Sequence, residues 1–293
     1  MIKLFVNGVV YLLALLLSLS APAVANTVSN TSTVIICPTK TVNTPPPDFT
    51  SSSCFTTSAS AIDPQENLIW VKANINLEKT RGPNGEPLAL FVLAKMASKF
   101  YLNGQFVGAN GTPGLNAATE TVGLMDAQLY PPQSWFRIGE NEVVFLASSH
   151  SGLLRLARPV HAISISPSVS AQDITLRHYW PSLLSLGLFI LGSLYFGVLA
   201  AISAHRRQAL VLSLIFGFAA AQLTTEVFRG LIAYPYPVHD MRLVLIVVFS
   251  AGFGLMFLLH ILLAFKGRHI AATMAGAAIM SLFGVILVSG YDT

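Results

Sequence analysis

Residues 182–204, SLLSLGLFILGSLYFGVLAAISA, are the first of four apolar runs that decide the fold of this chain. Each run has close to the ~20 residues that a helix needs to cross about 30 Å of hydrocarbon. A helix satisfies its backbone hydrogen bonds within one segment, and lipid offers no other partners for them. The sequence therefore predicts a multi-pass membrane protein with four helical spans, at residues 182–204, 209–228, 243–265 and 270–290.

The composition of the whole chain agrees with a membrane protein. Of its 293 residues, 53% are hydrophobic and 10% are charged, against roughly one quarter charged in soluble domains. The net charge of +4 is not concentrated in a long basic run. Because a nucleic-acid-binding surface leaves a basic stripe with aromatic residues, we expect no nucleic-acid partner.

Residues 1–25 have the features of a secretory signal peptide. Lys3 precedes an apolar stretch, and Ala23-Val24-Ala25 provides the small residues of a cleavage site. We expect cleavage before Asn26, and the alternative is an uncleaved anchor helix. In either case the residues from Asn26 onward lie outside the cytoplasm.

The two cysteines of the chain, Cys37 and Cys54, both fall in the exported part. In an oxidising compartment we expect a disulfide between them, with two free thiols as the alternative. Residues 26–62 are rich in Ser and Thr with little periodicity, which predicts an irregular or weakly stranded lead-in. The sequence has no Cys/His cluster with metal-ligand spacing, so we expect no metal and no cofactor.

Residues 63–170 have the pattern of an all-β domain. Apolar and polar residues alternate in Leu68–Glu78, the period of a half-buried strand. The Asn103-Gly104 dipeptide suits a type I′ hairpin turn between two short strands. Short strands at regular spacing predict an exported β-sandwich or jelly roll, with a juxtamembrane linker at residues 171–181. The expected strands are residues 68–78, 88–94, 98–102, 105–107, 119–124, 134–138, 142–147 and 161–166.

Two segments of this domain, FYLNGQFVG at residues 100–108 and IGENEVV at residues 138–144, resemble the galactose-binding-like jelly rolls. Followed by membrane helices, the arrangement resembles the bacterial seven-transmembrane receptors with diverse intracellular signalling modules. This resemblance implies a jelly-roll sensor outside the cell membrane and a cytoplasmic output such as a diguanylate cyclase or a histidine kinase. The chain departs from that family in having four apolar runs instead of seven and no output domain.

The resemblance also implies carbohydrate binding, through aromatic side chains that stack on sugar rings and polar side chains that fix hydroxyl groups. Each candidate has a structural alternative: the tryptophan as a core or rim residue, the histidine as a loop residue, and Arg155 and Arg158 as contacts to lipid phosphates. The sequence lacks hydrolase motifs, so we expect no enzyme activity in this chain. The ligand-binding candidates, chosen near expected strand ends, are Trp135, Arg137, His150, Arg155 and Arg158.

The charges between the spans predict the topology. With residue 26 outside, the first and third breaks face the cytoplasm, and the second break faces outward with Arg242 offset by Asp240. Positive charge in the cytoplasmic breaks agrees with the positive-inside rule. We expect a bacterial inner-membrane protein with its N-terminal domain in the periplasm. The basic residues of the two cytoplasmic breaks are Arg206, Arg207, Lys266 and Arg268.

Ionisable residues beside lipid are costly and mark candidate functional positions. Glu226 and Arg229 are three residues apart, on one helical face, and form a candidate ion pair. In a receptor, these groups would join the jelly roll to the helices, so that ligand occupancy shifts helix packing. The alternative is interfacial anchoring alone. The coupling candidates are Glu226, Arg229, His239, Asp240 and Arg242.

These observations favour the sensor and membrane portion of a bacterial signalling receptor, the N-terminal part of a longer protein. Its expected partners are membrane lipid, a carbohydrate or other small periplasmic ligand, and either a second copy of the chain or a missing C-terminal output module. The alternative is a membrane-anchored carbohydrate-binding or envelope scaffold protein that transmits no signal. A membrane-tethered enzyme has the least support.

Overall fold

The computed structural model of this protein describes residues 33–42, 45–82, 85–168, 171–264 and 276. The described residues divide into two compact units. The β unit holds the described residues up to 168 together with residues 232–247, and the helical unit holds residues 171–231 and those from 248 onward. The predicted signal peptide and, apart from Gly276, the predicted span at residues 270–290 lie outside the described residues.

The β unit consists of two antiparallel sheets, which confirms the predicted all-β class of this region. The larger sheet has six strands in the order β2-β1-β3-β8-β5-β6, and the smaller has three in the order β7-β4-β9. The strands are β1 (Thr33–Pro38), β2 (Phe55–Ser58), β3 (Leu68–Leu77), β4 (Leu88–Ala94), β5 (Ala97–Leu102), β6 (Gln105–Asn110), β7 (Asp126–Leu129), β8 (Gly139–Ser148) and β9 (Val160–Pro167).

Strands β3 and β8 form the centre of the larger sheet, paired from Leu68↔Ser148 to Leu77↔Gly139. One face of β3 buries alternate residues from Ile69 to Leu77 in the main core. A second apolar cluster covers the other face at one end of the strand, where Trp70 is 2% exposed. Burial of both faces explains why β3 begins as a continuous apolar run. The second cluster contains Cys37, Leu68, Trp70, Val144 and Leu146, with the partly buried Ile35, Val42, Phe49, Cys54 and Tyr101 against it.

The two segments that carry the family resemblance meet at one end of the larger sheet. Asn103 and Gly104 have φ of +49° and +82°, so the β5–β6 hairpin turns with both central residues left-handed, as type I′ requires. The Asn103 side chain donates to Asn141 Oδ1 at 3.0 Å and accepts from the Glu142 N–H at 2.9 Å. The hairpin and the Gly139–Asn141 turn therefore hold each other in place.

Replacing Asn141 with alanine is expected to lower the free energy of unfolding by about 2–3 kcal/mol, because buried hydrogen-bonding groups lose their partners. The Asn141 side chain is fully buried and donates to the carbonyls of Arg137 (2.7 Å) and Gly139 (3.0 Å). It also accepts from the Arg137 N–H at 2.9 Å. Urea unfolding followed by tryptophan fluorescence measures the change. The control is alanine at Asn74, an exposed position of β3, and equal effects at the two sites would contradict the structural role.

Three sequence expectations differ from the structure. The lead-in at residues 26–62 contains β1 and β2 in its described part, because the β-branched run Val34-Ile35-Ile36 pairs with β3. The strand expected at residues 119–124 is absent, and only isolated bridges at Thr121 and Leu124 occur there. The strand expected at residues 134–138 is replaced by a 3-10 turn at Gln133–Trp135. This turn follows two prolines, which lack the N–H that a strand would donate.

The helices are α1 (Ala171–Ile202), α2 (Arg206–Leu231) and α3 (Tyr236–Ala264). Helix α1 covers the residues 171–181 expected as a linker, because the polar residues before the apolar run extend the helix. In the helical unit, α1 and α2 exchange hydrogen bonds between Ser193 and Ser213, each hydroxyl donating to the other residue's carbonyl at 3.0 and 2.8 Å. Such side-chain pairs join helices where lipid drives no hydrophobic association.

Three helical stretches among the described residues are long and apolar enough to cross a membrane, consistent with a membrane protein. They are Tyr179–Ile202, Arg206–Leu231 and Tyr236–Leu263. The described residues thus give three candidate spans in place of the four predicted, because the predicted fourth falls almost wholly outside them.

Candidate functional site

The residues Tyr234–Asp240, here called the inserted segment, comprise the end of the α2–α3 connection and the first turn of α3, and they belong to the β unit. The Met125 N–H donates to the Tyr234 carbonyl at 3.0 Å, and the Tyr236 N–H donates to the Gly123 carbonyl at 2.9 Å. Leu124 and Pro235 form an antiparallel bridge between these bonds. Tyr234, Pro235 and Tyr236 are therefore bonded to the β unit through one isolated bridge, in a stretch that the sequence predicts as an outward-facing break between spans.

A buried ion pair joins the inserted segment to the turn between β4 and β5. The Lys95 ammonium lies 2.7 Å from Asp240 Oδ2, and the two side chains are 1% and 0% exposed. The same oxygen accepts from the N–H groups of Leu153 and Leu154 at 2.7 and 2.9 Å. Lys95 also donates to the Leu154 carbonyl. The bonds to Asp240 all reach Oδ2, whereas the buried Asp240 Oδ1 has no hydrogen-bond partner among the described residues. Additional hydrogen bonds of this kind help to offset the cost of burying a charge pair.

A second buried carboxylate, Glu120, accepts a hydrogen bond from another side chain of the inserted segment, that of Tyr236. The Tyr236 hydroxyl donates to Glu120 Oε1 and accepts from the Ser151 N–H at 2.9 Å. The Ser148 hydroxyl donates to Glu120 Oε2 at 2.5 Å, and the His150 N–H lies 3.1 Å from both carboxylate oxygens. Glu120 therefore joins the inserted segment to β8 and to the loop that follows this strand.

One loop, residues 149–155, makes contacts to Tyr236 and Asp240 and also lines a cleft of about 160 Å³. The backbone of this 149–155 loop holds Tyr236 through Ser151, and its next N–H groups hold Asp240. Ser149 is 3% exposed, and its hydroxyl has no hydrogen-bond partner among the described residues. The cleft is lined by Gln65, Glu66, Lys95, Ser149, His150, Gly152, Leu153, Leu154 and Arg155.

Opposite the 149–155 loop, the cleft is bounded by the turn that precedes β3. Glu66 has a φ of +59°, and its N–H donates to the Ser149 carbonyl at 3.0 Å. The Arg155 guanidinium lies 3.4 Å from Asp63 and 4.0 Å from Glu66. The cleft thus presents a carboxylate and a guanidinium, groups able to bind a small ligand carrying hydroxyl groups, and the unpartnered Ser149 hydroxyl lies buried in its wall.

The structure brings only two of the five ligand-binding candidates to the cleft, His150 and Arg155. Trp135 is half-buried against the main core, in the 3-10 turn before β8. Arg137 is exposed, two residues before β8 begins, and the cleft follows the other end of that ten-residue strand. Arg158 is exposed and does not line the cleft.

Among the coupling candidates, Asp240 and His239 are buried in the inserted segment. The His239 ring contacts the Tyr234 hydroxyl at 3.1 Å and Arg242 at 3.4 Å, in both cases through Nδ1. Glu226 and Arg229 lie in α2, within the helical unit.

Sequence reasoning did not select Lys95, Glu120 or Tyr236. The signal for Lys95 is a single charge inside the otherwise apolar stretch at residues 88–97. Glu120 and Tyr236 carry no comparable signal, since both are surrounded by turn residues in the sequence. Within the described ranges, no group of three or more His, Cys, Asp or Glu is arranged to hold a metal ion.

Comparisons with known proteins do not identify this chain. No family model matches it, and no curated protein matches it. Among solved structures, it is similar to the crystal structure of selenomethionine-labelled β-glucosidase from Kluyveromyces marxianus, with 14% sequence identity and a TM-score of 0.26. That match covers 54% of this chain and 20% of that chain. The likeness is too low to bear on function, so the cleft and the inserted segment carry the functional argument.

Proposed function

We propose that this chain is the sensor and transmembrane portion of a bacterial signal-transduction receptor. In this proposal the cleft binds a small periplasmic ligand, and the 149–155 loop passes the state of the cleft to the start of α3. The observation that supports it is the double role of the loop, which lines the cleft and also binds Tyr236 and Asp240 through its backbone. The proposed output is a cytoplasmic module such as a diguanylate cyclase or a histidine kinase.

The proposed ligand is a carbohydrate or another small hydroxylated molecule. A cleft of about 160 Å³ is below the ~300–1,000 Å³ of sites for drug-sized molecules, so it suits a monosaccharide or a smaller compound. The Ser149 hydroxyl is buried and lacks a partner among the described residues, and in this proposal a small movement of the 149–155 loop exposes it to a ligand hydroxyl. Glu66 and Arg155 are able to accept from and donate to neighbouring hydroxyl groups on such a ligand.

Transmission requires that the ligand bind one loop position better than another, since a ligand shifts an equilibrium only by its differential affinity. A ligand held by Ser149 and His150 acts on the same short loop whose N–H groups bind Asp240. A shift of that loop would therefore change the contacts at the start of α3.

The second candidate function is a membrane-anchored carbohydrate-binding or envelope scaffold protein without signalling output. The observation that favours it is the contact of the Lys95 ammonium with both Asp240 and the Leu154 carbonyl. A buried ion pair with this second contact holds the inserted segment in one position, which is the behaviour of a static anchor.

Substituting Ser149 with alanine is expected to weaken ligand binding about 5–10-fold, the effect of losing one hydrogen bond of about 1 kcal/mol. The full chain is placed in lipid nanodiscs and titrated calorimetrically with a panel of neutral and acidic monosaccharides. Arg137→Ala is the matched control, because this exposed residue lies at the far end of β8. A complete lack of binding across the panel, or equal affinities in the wild type and the Ser149 variant, would reject the cleft as the carbohydrate site.

The same samples separate the receptor from the scaffold. Spin labels on Leu153→Cys and Met241→Cys report the distance between the 149–155 loop and the start of α3, and both side chains are exposed. A receptor changes this distance when the binding sugar is saturating, whereas a scaffold leaves it unchanged.

A further inference from the structure

We propose that Gly152–Arg158, here called the anchor stretch, rests on the membrane surface. Its sequence is GLLRLAR. Leu153 and Leu154 enter the lipid headgroup layer, and the guanidinium groups of Arg155 and Arg158 meet lipid phosphates. The inference rests on α3 crossing a membrane. It shares Arg155 with the proposed cleft site, so a lipid phosphate and a cleft ligand would compete for this guanidinium.

The anchor stretch is held at the point where α3 begins to expose apolar side chains. Asp240 is fully buried and binds the N–H groups of Leu153 and Leu154. The next residue, Met241, is 55% exposed, and Val244 and Leu245 follow at 45% and 42%. Because a helix rises about 1.5 Å per residue, Leu245 lies only about 8 Å along the axis from Asp240. The anchor stretch therefore lies beside the boundary at which α3 enters lipid.

Exposed leucines on a fixed backbone are the second observation. Leu153 is 72% exposed and Leu154 is 37% exposed. Leu156 is buried, and its backbone exchanges two 2.8 Å hydrogen bonds with the Gln65 side chain. With one end bonded to Asp240 and the middle bonded to Gln65, the stretch is held in a position that leaves Leu153 and Leu154 exposed. An interfacial lipid layer accepts such residues, whereas water does not favour them.

The arginines match the chemistry of lipid headgroups. Arg155 has 67% of its side chain exposed, and Arg158 is exposed as well. The Arg155 pairs with Asp63 and Glu66 are long, at 3.4 and 4.0 Å, and the two carboxylate side chains are 39% and 81% exposed. Such pairs contribute little, so a phosphate competes well for the guanidinium. Leucines that enter the layer with arginines beside them are typical of a segment bound to an anionic lipid surface.

The test uses the full chain in nanodiscs of phosphatidylcholine and phosphatidylglycerol, with a nitroxide spin label on Leu153→Cys. The two native cysteines are bonded to each other, so the introduced thiol is labelled selectively. Power-saturation EPR compares collisions with oxygen, which concentrates in lipid, and with a nickel chelate, which stays in water. Ile138→Cys is the matched control, because this side chain is 76% exposed and lies about 30 Å away at the other end of β8.

The oxygen-to-nickel ratio at residue 153 is expected to exceed the ratio at residue 138 and to fall below that of Leu245→Cys on α3. Equal ratios at residues 153 and 138 would overturn the proposal. Shielding of the label from both reagents together with dipolar broadening would show a second copy on this surface, and would overturn it too. A water-like ratio at residue 245 would remove the membrane crossing of α3 and the inference with it.

The contact between the two arginines and lipid phosphate is tested separately, in the same labelled variant. Adding Arg155→Gln and Arg158→Gln to the labelled variant is expected to lower the oxygen-to-nickel ratio at residue 153, because the stretch loses its attraction to phosphate. The loss is expected to be larger in discs rich in phosphatidylglycerol than in pure phosphatidylcholine. An unchanged ratio in both lipids would overturn the phosphate contact.

Discussion

Replacing Asp240 with alanine is expected to lower the free energy of unfolding of the β unit by about 3–5 kcal/mol, because the buried Lys95 ammonium loses its counter-ion. The pair is almost fully removed from water, at 1% and 0% exposure. The variant also leaves the N–H groups of Leu153 and Leu154 without their acceptor. Urea unfolding of the full chain in detergent micelles, followed by near-ultraviolet circular dichroism, measures the loss.

Two further variants identify the cause. The double variant Lys95→Met with Asp240→Leu is expected to regain most of the lost stability, since an apolar pair of similar size replaces the buried charges. The recovery stays incomplete because the two loop N–H groups still lack an acceptor. Glu142→Gln is the surface control: it removes the partner of Lys72, whose side chain is 28% exposed. This exposed pair is expected to contribute about 0–1 kcal/mol. A loss at Asp240 no larger than at Glu142 would show that the buried pair is not structural.

Removing the disulfide is the second large effect. Cys37 and Cys54 are bonded and lie 17 residues apart, so the bond restricts the unfolded chain. The double variant Cys37→Ala with Cys54→Ala is expected to lose about 3 kcal/mol of stability. Cys37 is also 2% exposed and belongs to the cluster around Trp70, so its truncation removes buried contacts.

The same unfolding assay supplies the control for the disulfide. Reductant is expected to shift the urea midpoint of the wild type to lower concentration and to leave the double variant unchanged. A double variant with the wild-type midpoint would contradict the prediction. It would mean that strand pairing between β1 and β3 alone holds the lead-in residues against the sheet.

The sheet was predictable wherever a strand has one clear buried face or a sharp turn. The alternation in Leu68–Leu77 and the Asn103-Gly104 hairpin are local properties, and the structure has both. Strand β1 was not separated from its surroundings, because its Ser- and Thr-rich neighbours mask a short β-branched run. Its burial comes from pairing with β3, which is a long-range contact.

The candidate site was only partly predictable, because its contacts join distant residues. Asp240 was selected since a charge beside an apolar span is costly, and it is indeed buried. Its partner Lys95 lies 145 residues away, in a turn between two strands. A lysine in a turn is ordinarily solvent-exposed, and the apolar residues around Lys95 at 88–97 are a local sign of burial that does not identify Asp240 as its partner.

The resemblance motifs turned out to have a structural role in this chain. Asn103 and Asn141 bond to each other and to the backbone at one end of β8, whereas the cleft lies beyond the other end. Turn motifs of this kind report how the sheet is assembled. They do not report which ligand is bound. Trp135 and Arg137, chosen near expected strand ends, lie beside the second motif and away from the cleft.

The position of the inserted segment also sets an order of events during synthesis. The last strand of the β unit ends at Pro167. Lys95 pairs with Asp240 and Glu120 pairs with Tyr236, and both of these partners follow α1 and α2 in the sequence. Ribosomes add roughly 5–20 residues per second, so these partners emerge about 4–15 s after β9. During that interval the nascent β unit has two ionisable groups without their final contacts. It is then the most vulnerable to proteolysis, and maturation ends only when the start of the third helix has been delivered.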